Sequence, residues 1–347
     1  MELIDIKKYY EENNYLFSVI VELTTICNFN CVHCFIDKHD CYGLNTNEIK
    51  QLLYKLRKAG VYEIQFTGGE IFTRKDAFEI IEYARELRFK VCLLTNVSLL
   101  DDNGIDRLKN LCVESVSTTL FSLDDEINDK ITGVKNSASI VVDKIKKLSQ
   151  TNIRTEIKTV VFKNTISEYS KINMFCIENG INFLATEGVF PSKSGSLNPR
   201  KLSMTYNQLC GCIEELDKIR FGDNYCQEKN DDDKICHELQ YSLFIDSKGD
   251  VFPCNMWFEK IGDFRDPVDD LWNNPFLLMA QKKTWKDLKK CKVCDNKKYC
   301  VRCSGIAYSI CEDYLAHDSF SCVTAKARKM ANNRKMRKGG CWHEEVC

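Results

Sequence analysis

The sequence predicts an α/β protein: an incomplete (β/α)6 barrel of the TIM type, followed by a small cysteine-rich domain. Three observations carry that expectation. Over residues 17–190, apolar runs of strand length alternate with helical stretches about six times, which implies right-handed crossovers and a parallel sheet. The residues richest in chemistry fall where those strands end, as they do in a barrel. From residue 226 the alternation gives way to hairpins and short helices punctuated by cysteine. An open doubly wound sheet is the alternative, but no G-x-G-x-x-G follows the first strand.

Each element has a local reason. Residues 1–16 are a short polar lead, and "FSVIVELT" (17–24) is a β-branched strand. "TNEIKQLLYKLRKAG" (46–60) places Leu and Tyr on one helical face and ends on glycine. "YEIQF" (62–66) is a strand running into "TGGE", and "RKDAFEIIEYARELRF" (74–89) a helix. "KVCLLTN" (90–96) and "ESVSTTL" (114–120) are strands, and "SASIVVDKIKKLSQ" (137–150) is a helix. "RTEIKTVVF" (154–162) and "NFLATEGVF" (182–190) are strands on either side of the helix "ISEYSKINMFCIENG" (166–180). The turn-rich "PSKSGSLNPRKL" (191–202) leads to a further helix, "YNQLCGCIEELDKI" (206–219). The expected divisions are a lead at 1–16, the barrel at 17–200, a linking helix at 201–225, the cysteine-rich domain at 226–330 and a basic tail at 331–347.

Composition excludes several classes. A formal net charge of −1 does not favour a nucleic-acid partner. The charged start "MELIDIKKYY" has no apolar core and no run reaches spanning length, so no signal peptide and no membrane helix are expected. A cytoplasmic protein is the reading. In that compartment 20 cysteines among 347 residues point to metal or redox chemistry rather than disulfides.

"TTICNFNCVHCF" (24–35) sets Cys27, Cys31 and Cys34 within eight positions. A structural zinc site wants four ligands. A cubane iron–sulfur cluster wants one thiolate per iron, so three leave one iron open to a substrate. This Cys-x3-Cys-x2-Cys after a first strand resembles the radical SAM superfamily; a zinc knuckle is the bland alternative. The resemblance implies a [4Fe–4S] cluster on the three thiolates, whose free iron chelates S-adenosyl-L-methionine, and a 5′-deoxyadenosyl radical that removes hydrogen from the substrate. "FTGGE" matches the family's Gly-Gly-Glu element. By that likeness Gly68 and Gly69 let the backbone approach the ligand, and Glu70 accepts hydrogen bonds from the methionyl ammonium. Thr95 and Asn96 are candidates beside the nucleoside, Thr119 stands where a family serine contacts the cofactor, and Lys158 faces the site or is a solvated bridge. His33 reads as a packing residue.

The second set of cysteines resembles the SPASM extension of radical SAM enzymes, which houses one or two auxiliary [4Fe–4S] clusters. "YSLFIDSKGDVFPC" (241–254) reads as a hairpin turning at Asp246–Gly249 between Cys236 and Cys254. Cys291-x2-Cys294-x5-Cys300-x2-Cys303 and Cys322 follow. The resemblance gives Cys291, Cys294, Cys300 and Cys322 to a distal cluster, and Cys236, Cys254 and Cys303 to a proximal one. The family pattern has three residues before the last cysteine of the tight group and this chain has two, which leaves the cluster of Cys303 open. Cys226, Cys311 or a substrate thiolate is the proximal cluster's fourth ligand. Two zinc ribbons are the alternative for this region. Cys92, Cys112 and Cys176 read as small hydrophobes, Cys41, Cys210 and Cys212 have no matching partners, and the tail "KGGCWHEEVC" reads as a disordered end.

The stretch "YCVRCSGIAYS…SCVTAKAR" resembles maturases of ribosomal peptides. That likeness implies a peptide substrate and a thioether crosslink. Carbon–carbon crosslinking, epimerisation or formylglycine formation as in anaerobic sulfatase maturases are the alternatives. An electron donor such as flavodoxin or ferredoxin is implied. About sixteen residues precede the first strand, so leader recognition is expected to need a separate protein or another surface. The contrasting class is a non-enzymatic iron–sulfur or zinc module, which would not turn over S-adenosylmethionine.

Overall fold

A computed structural model describes residues 5–222 and 229–339. Cys226 and the Cys341 and Cys347 tail lie outside the described residues. Six strands, β1 (Ser18–Glu22), β2 (Glu63–Thr67), β3 (Lys90–Leu94), β4 (Ser115–Thr119), β5 (Arg154–Val160) and β6 (Asn182–Thr186), lie side by side in chain order, every pair parallel. This is the expected six-unit α/β sheet, with β6 as one edge.

The helices follow their local signals. After α1 (Ile6–Glu12), α2 (Thr46–Lys58) starts on a capping box, in which Asn45 and Glu48 satisfy each other's backbone N–H. It buries Ile49, Leu52, Leu53 and Leu56 against the sheet. Then come α3 (Ala77–Glu86), α4 (Asp102–Asn110), α5 (Asp125–Thr132), α6 (Ser137–Ser149), α7 (Glu168–Glu178) and α8 (Tyr206–Phe221). Sequence reading gave no helix at α1, α4 or α5. These are short and mostly polar, and their side-chain caps at Asp5, Asp101 and Asp124 are the signal that could have found them.

The hairpin is present as β7 (Ser242–Ile245) and β8 (Asp250–Phe252), turning on Gly249 at φ 89°. It does more than the sequence indicated. β7 pairs parallel to β1, Ser18 to Ser242 through Val21 to Ile245, and β9 (Gly262–Asp263) closes a nine-stranded sheet. The free edge of β1 is thereby hydrogen-bonded, which an exposed apolar strand requires. Lys55 of α2 ties the two halves again, donating to the carbonyls of Phe264, Arg265 and Asp266 at 2.9, 2.7 and 2.7 Å.

The remaining helices are α9 (Val268–Trp272), α10 (Pro275–Lys282), α11 (Ser304–Cys311) and α12 (Ser319–Gly339). Arg328 of α12 is buried between two carboxylates. It meets Asp217 of α8 at 2.7 and 2.9 Å, and Glu187 just past β6 at 2.7 Å. Among the described residues no helix is long and apolar enough to cross a membrane.

Candidate functional site

A cavity of about 360 Å3 opens at the C-terminal ends of the parallel strands. Cys27, Cys31, Cys34, Gly68, Gly69, Thr95, Asn96, Thr119 and Lys158 all line it, so residues spread over more than 130 positions meet at one place. Phe29, Phe35, Phe121, Phe190 and Phe244 supply much of its apolar wall.

The cysteines ride a loop that β1 launches. Thr25 closes its base: its N–H donates to the Cys41 carbonyl and its hydroxyl accepts from the Cys41 N–H, both at 2.9 Å. Asn30 and Val32 donate to the last carbonyls of α5 at 2.8 and 2.9 Å. Burial pushes all three thiols up, Cys31 to about 12, and for Cys31 the neighbouring Cys34 and Cys27 add to the effect. Close thiols of this kind become thiolates together only around a cationic centre, and none is engaged in a disulfide. Among the described residues no three His, Cys, Asp or Glu side chains converge as a single ion requires. A cubane binds each thiolate to a different iron and asks for a wider spacing, so the donor set fits the cluster.

The two glycines serve the loop as well as the cavity. A Cβ on Gly68 would lie 2.4 Å from the Thr24 carbonyl oxygen, and one on Gly69 2.4 Å from that of Ile26. Their backbone instead clasps the outgoing β1 chain: Gly69 donates to Thr24 at 2.9 Å and Glu70 to Ile26 at 2.8 Å.

Glu70 lies behind the cavity wall. It is 0% exposed and does not line the cavity. Its Oε1 accepts from the Thr95 hydroxyl at 2.6 Å and the Phe72 N–H at 3.0 Å, and its Oε2 from the Asn96 N–H at 2.6 Å. Burial pushes its carboxyl up, and these three bonds oppose the shift. Glu70 is therefore a positioning residue. It fixes Thr95 and Asn96, and Asn96 in turn donates to Asn28 at 2.8 Å beside Cys27. Glu70→Gln is expected to weaken S-adenosylmethionine binding about tenfold or more, because a buried amide cannot accept at all three places and an unmet donor costs ~1–3 kcal/mol. Equilibrium binding to the reconstituted protein measures this.

Thr119, at the exposed end of β4, and Lys158 of β5 face the cavity, and Lys158 also pairs with Glu156 at 3.2 Å. His33 packs on Phe121 and Phe162, with centroids 4.7 and 5.1 Å away, and burial lowers it to about 4.

Sequence reading missed three things. Glu22 is the one carboxylate among the cavity-lining residues described, and Lys193 reaches it at 3.7 Å and Asp246 at 2.9 Å. The segment around Lys193 is strapped to the cysteine loop, Lys193 donating to the Phe35 carbonyl at 2.8 Å and Ser194 to Asp37 at 2.7 and 2.8 Å. Thr118 also lines the cavity, with a buried hydroxyl that has no partner. None of these follows from local pattern: the partners of Glu22 and of the Lys193 segment lie far away in sequence, and the burial of the Thr118 hydroxyl is set by the packing around β4.

The C-terminal thiols gather in two sets. Burial raises Cys236 to about 11 and Cys254 well above its usual value, and these two and Cys303 act on one another. Burial likewise raises Cys300 to about 12, with Cys291 and Cys322 adding to it, while Cys294 neighbours Cys291 and Cys322. Cys303 thus lies near enough to act on both Cys236 and Cys254. Between the sets lies the half-buried Arg302, donating to the Ala316 carbonyl at 2.7 Å, the Ser304 hydroxyl at 2.9 Å and the Tyr314 carbonyl. Asn255, next to Cys254, lines the cavity, so the first of these sets adjoins it. Cys311 is exposed at the end of α11.

Comparison with known proteins agrees with this geometry. The model of the radical SAM superfamily matches residues 21–173, and that of the SPASM iron–sulfur cluster-binding domain matches residues 236–295. The AdoMet-dependent heme synthase of Methanosarcina barkeri is 25% identical over 337 residues, covering 89% of this chain and 96% of its own. The antilisterial bacteriocin subtilosin biosynthesis protein AlbA of Bacillus subtilis is 27% identical over 301 residues, 81% of this chain and 66% of its own. Among solved structures, Streptococcus suis SuiB bound to precursor peptide SuiA superposes with a TM-score of 0.69 at 18% identity, covering 90% of this chain and 78% of that one. Native anSMEcpe with bound AdoMet and Cp18Cys peptide gives 0.67 at 16% identity, covering 93% and 98%. At such identities the two structures establish the shared fold. The chain is a radical SAM superfamily enzyme with a C-terminal SPASM domain, and its cofactors are S-adenosylmethionine and [4Fe–4S] clusters.

Proposed function

We propose that this enzyme modifies a ribosomally made peptide, joining a cysteine sulfur to a carbon of another residue as a thioether. The observation that carries the reading is the set of Cys236, Cys254 and Cys303 beside the cavity, with its next neighbour Asn255 in the cavity wall. Three protein thiols there leave a place for Cys226 or for the peptide's own thiolate. The relatives that act in bacteriocin synthesis or bind a precursor peptide support it.

In this reading Cys27, Cys31 and Cys34 hold the first cluster, and Gly68, Gly69, Thr95 and Asn96 the methionyl and nucleoside parts of S-adenosylmethionine. Together these cofactors supply a hydrogen-abstracting adenosyl radical. Thr119 and Lys158 meet the ligands from the opposite wall, and the phenyl rings keep water from the reacting carbon. Cys291, Cys294, Cys300 and Cys322 hold the distal cluster. A peptide C–H and S–H give way to one C–S bond: one hydrogen leaves on 5′-deoxyadenosine, and the other leaves as a proton and an electron.

A second reading comes from the heme synthase, which matches along almost its whole length: a haem precursor as substrate. The volume of about 360 Å3, near the low end for small-ligand pockets, suits the cofactor and one reaching side chain better than a macrocycle. The test is anaerobic reconstitution to about twelve irons, four per cubane, then reduction with dithionite and assay of 5′-deoxyadenosine. A cysteine-containing peptide encoded beside the gene is expected to lose two hydrogens and one titratable thiol. Turnover of a haem precursor with the peptide untouched would establish the second reading instead.

A further inference from the structure

Glu22, the one carboxylate among the described residues lining the cavity, has no part in the reaction as proposed. It ends β1, next to β7 and far across the sheet from β4 and β5. It shares its side of the cavity with Phe244 of β7 and with Asn255, beside the set of Cys236, Cys254 and Cys303. Glu22 is 5% exposed, yet thinly held. Its Oε1 accepts from the Ser247 N–H at 3.1 Å and lies 3.7 Å from the Lys193 ammonium. Among the described residues nothing donates to its Oε2, which stays open to the cavity. The neighbouring Asp246 is fully engaged. Its Oδ2 accepts from Lys193 at 2.9 Å, and its Oδ1 from the Lys248 and Asp250 N–H groups at 2.9 and 3.0 Å. A carboxylate taken this far out of water is ordinarily held by several donors, so Glu22 has room for one more. The Thr118 hydroxyl, buried and without a partner, lines the same cavity.

The charges at this wall do not cancel. Glu22 and Asp246 share the single cation Lys193, while Lys158 across the cavity is matched by Glu156 at 3.2 Å. Phe35, Phe190 and Phe244 supply apolar lining, and the faces of such rings attract cations. That chemistry already holds an ammonium next door, where Lys193 lies 5.5–5.8 Å from the rings of Phe244, Phe252 and Phe258. We infer that Glu22 is the specificity-determining residue for the peptide: its Oε2 receives a cationic side chain, lysine or arginine, whose alkyl stem packs on the phenyl rings. The inference rests on the peptide reading above and deepens it. The cavity suits one reaching side chain beside the cofactor, so the residue received is the one whose carbon loses its hydrogen. The cysteine sulfur then comes from elsewhere in the peptide. A neutral amide donor fits less well, because it would leave the charge of this wall unmatched. Ser247 and Lys193 are positioning residues: they hold Oε1, which leaves Oε2 to the ligand.

The test uses reconstituted holoenzyme with S-adenosylmethionine and synthetic peptides of the form acetyl-Cys-Ala-Xaa-Ala-amide, with lysine, arginine, norleucine or glutamate as Xaa. Anaerobic NMR titration reads their affinities. The lysine and arginine peptides are expected to bind about tenfold or more tighter than the norleucine peptide, and the glutamate peptide weakest. Glu22→Gln should bind the lysine and norleucine peptides alike, and Glu22→Asp should restore part of the preference. Iron content and circular dichroism report whether each variant folds. Should neither fold, the wild-type series decides: no difference among the four peptides, or a preference for glutamate, overturns the inference. So does a Glu22→Gln enzyme that keeps the preference for lysine and loses affinity for S-adenosylmethionine, since the carboxylate would then serve the cofactor's sulfonium. An enzyme that installs its thioether on a neutral residue removes this inference and leaves the proposed reaction standing. One that turns over only a haem precursor removes both.

Discussion

Cys31→Ala is expected to reduce 5′-deoxyadenosine formation to the level of a protein-free control. The middle thiol of the loop is the most strongly raised of the three, because burial and both neighbours act on it. Without it a four-iron cluster would hang from the two remaining thiol side chains of that loop. Iron content should fall by about four per chain, one cubane, while both auxiliary clusters remain visible by EPR. Two comparisons separate ligation from packing. Cys92→Ala removes a buried thiol of β3 and should cost only about 1 kcal/mol in stability, with sulfonium cleavage intact. Cys291→Ala should spare cleavage and abolish product, since it disturbs a thiol that does not line the cavity. Full activity in the Cys31 variant would end the assignment of the loop as the first cluster's seat.

Arg328→Met is expected to destabilise the protein by ~3–5 kcal/mol, the cost of removing one partner from a buried ion pair. Arg328 is 2% exposed and shares its guanidinium between Asp217 and Glu187, both buried. Methionine fills much of the space but leaves two carboxylates facing each other out of water. Burial already pushes Asp217 above its ordinary value, with Arg328 holding it down; without the arginine it rises further. A folded carboxyl raised above its unfolded value near 3.9 binds its proton more readily in the native state. Stability is then retained at low pH and lost as pH climbs through the raised value. The deficit should therefore be larger at about pH 8 than at about pH 5, as read by urea unfolding at both. A pH-independent loss would assign Arg328 a packing role only. The effect should extend to ligand binding, because Glu187 directly precedes Gly188, Val189 and Phe190 in the cavity wall.

Much of this architecture was legible in the chain. The six strands came from apolar runs and the cysteine seat from spacing. The two C-terminal sets came from the likeness of Cys236, Cys254 and Cys303, and of Cys291 to Cys322, to auxiliary-cluster patterns. What escaped is decided by residues far apart in sequence. Nothing near Glu70 announces that its oxygens are consumed by Thr95 and Asn96, 25 and 26 positions on. The need for glycine at 68 and 69 comes from the Thr24 and Ile26 carbonyls passing behind them. Lys193 sits in a turn-rich stretch that reads as a linker or an active-site loop, and nothing local announces that its ammonium settles among Phe244, Phe252 and Phe258 at 5.5–5.8 Å. Local pattern reports propensity and period, while such contacts depend on which strands become neighbours.

The register of Ser18 with Ser242 also shapes how the chain is made. The partner of β1 leaves the ribosome about 220 residues later, roughly 10 to 45 s at ordinary elongation speeds. Throughout that interval one flank of an apolar strand has β2 beside it and nothing on the other side. A nascent barrel is therefore sticky until its last third arrives, and synthesis of a shortened chain ending before residue 242 should yield aggregates unless a chaperone shields that flank.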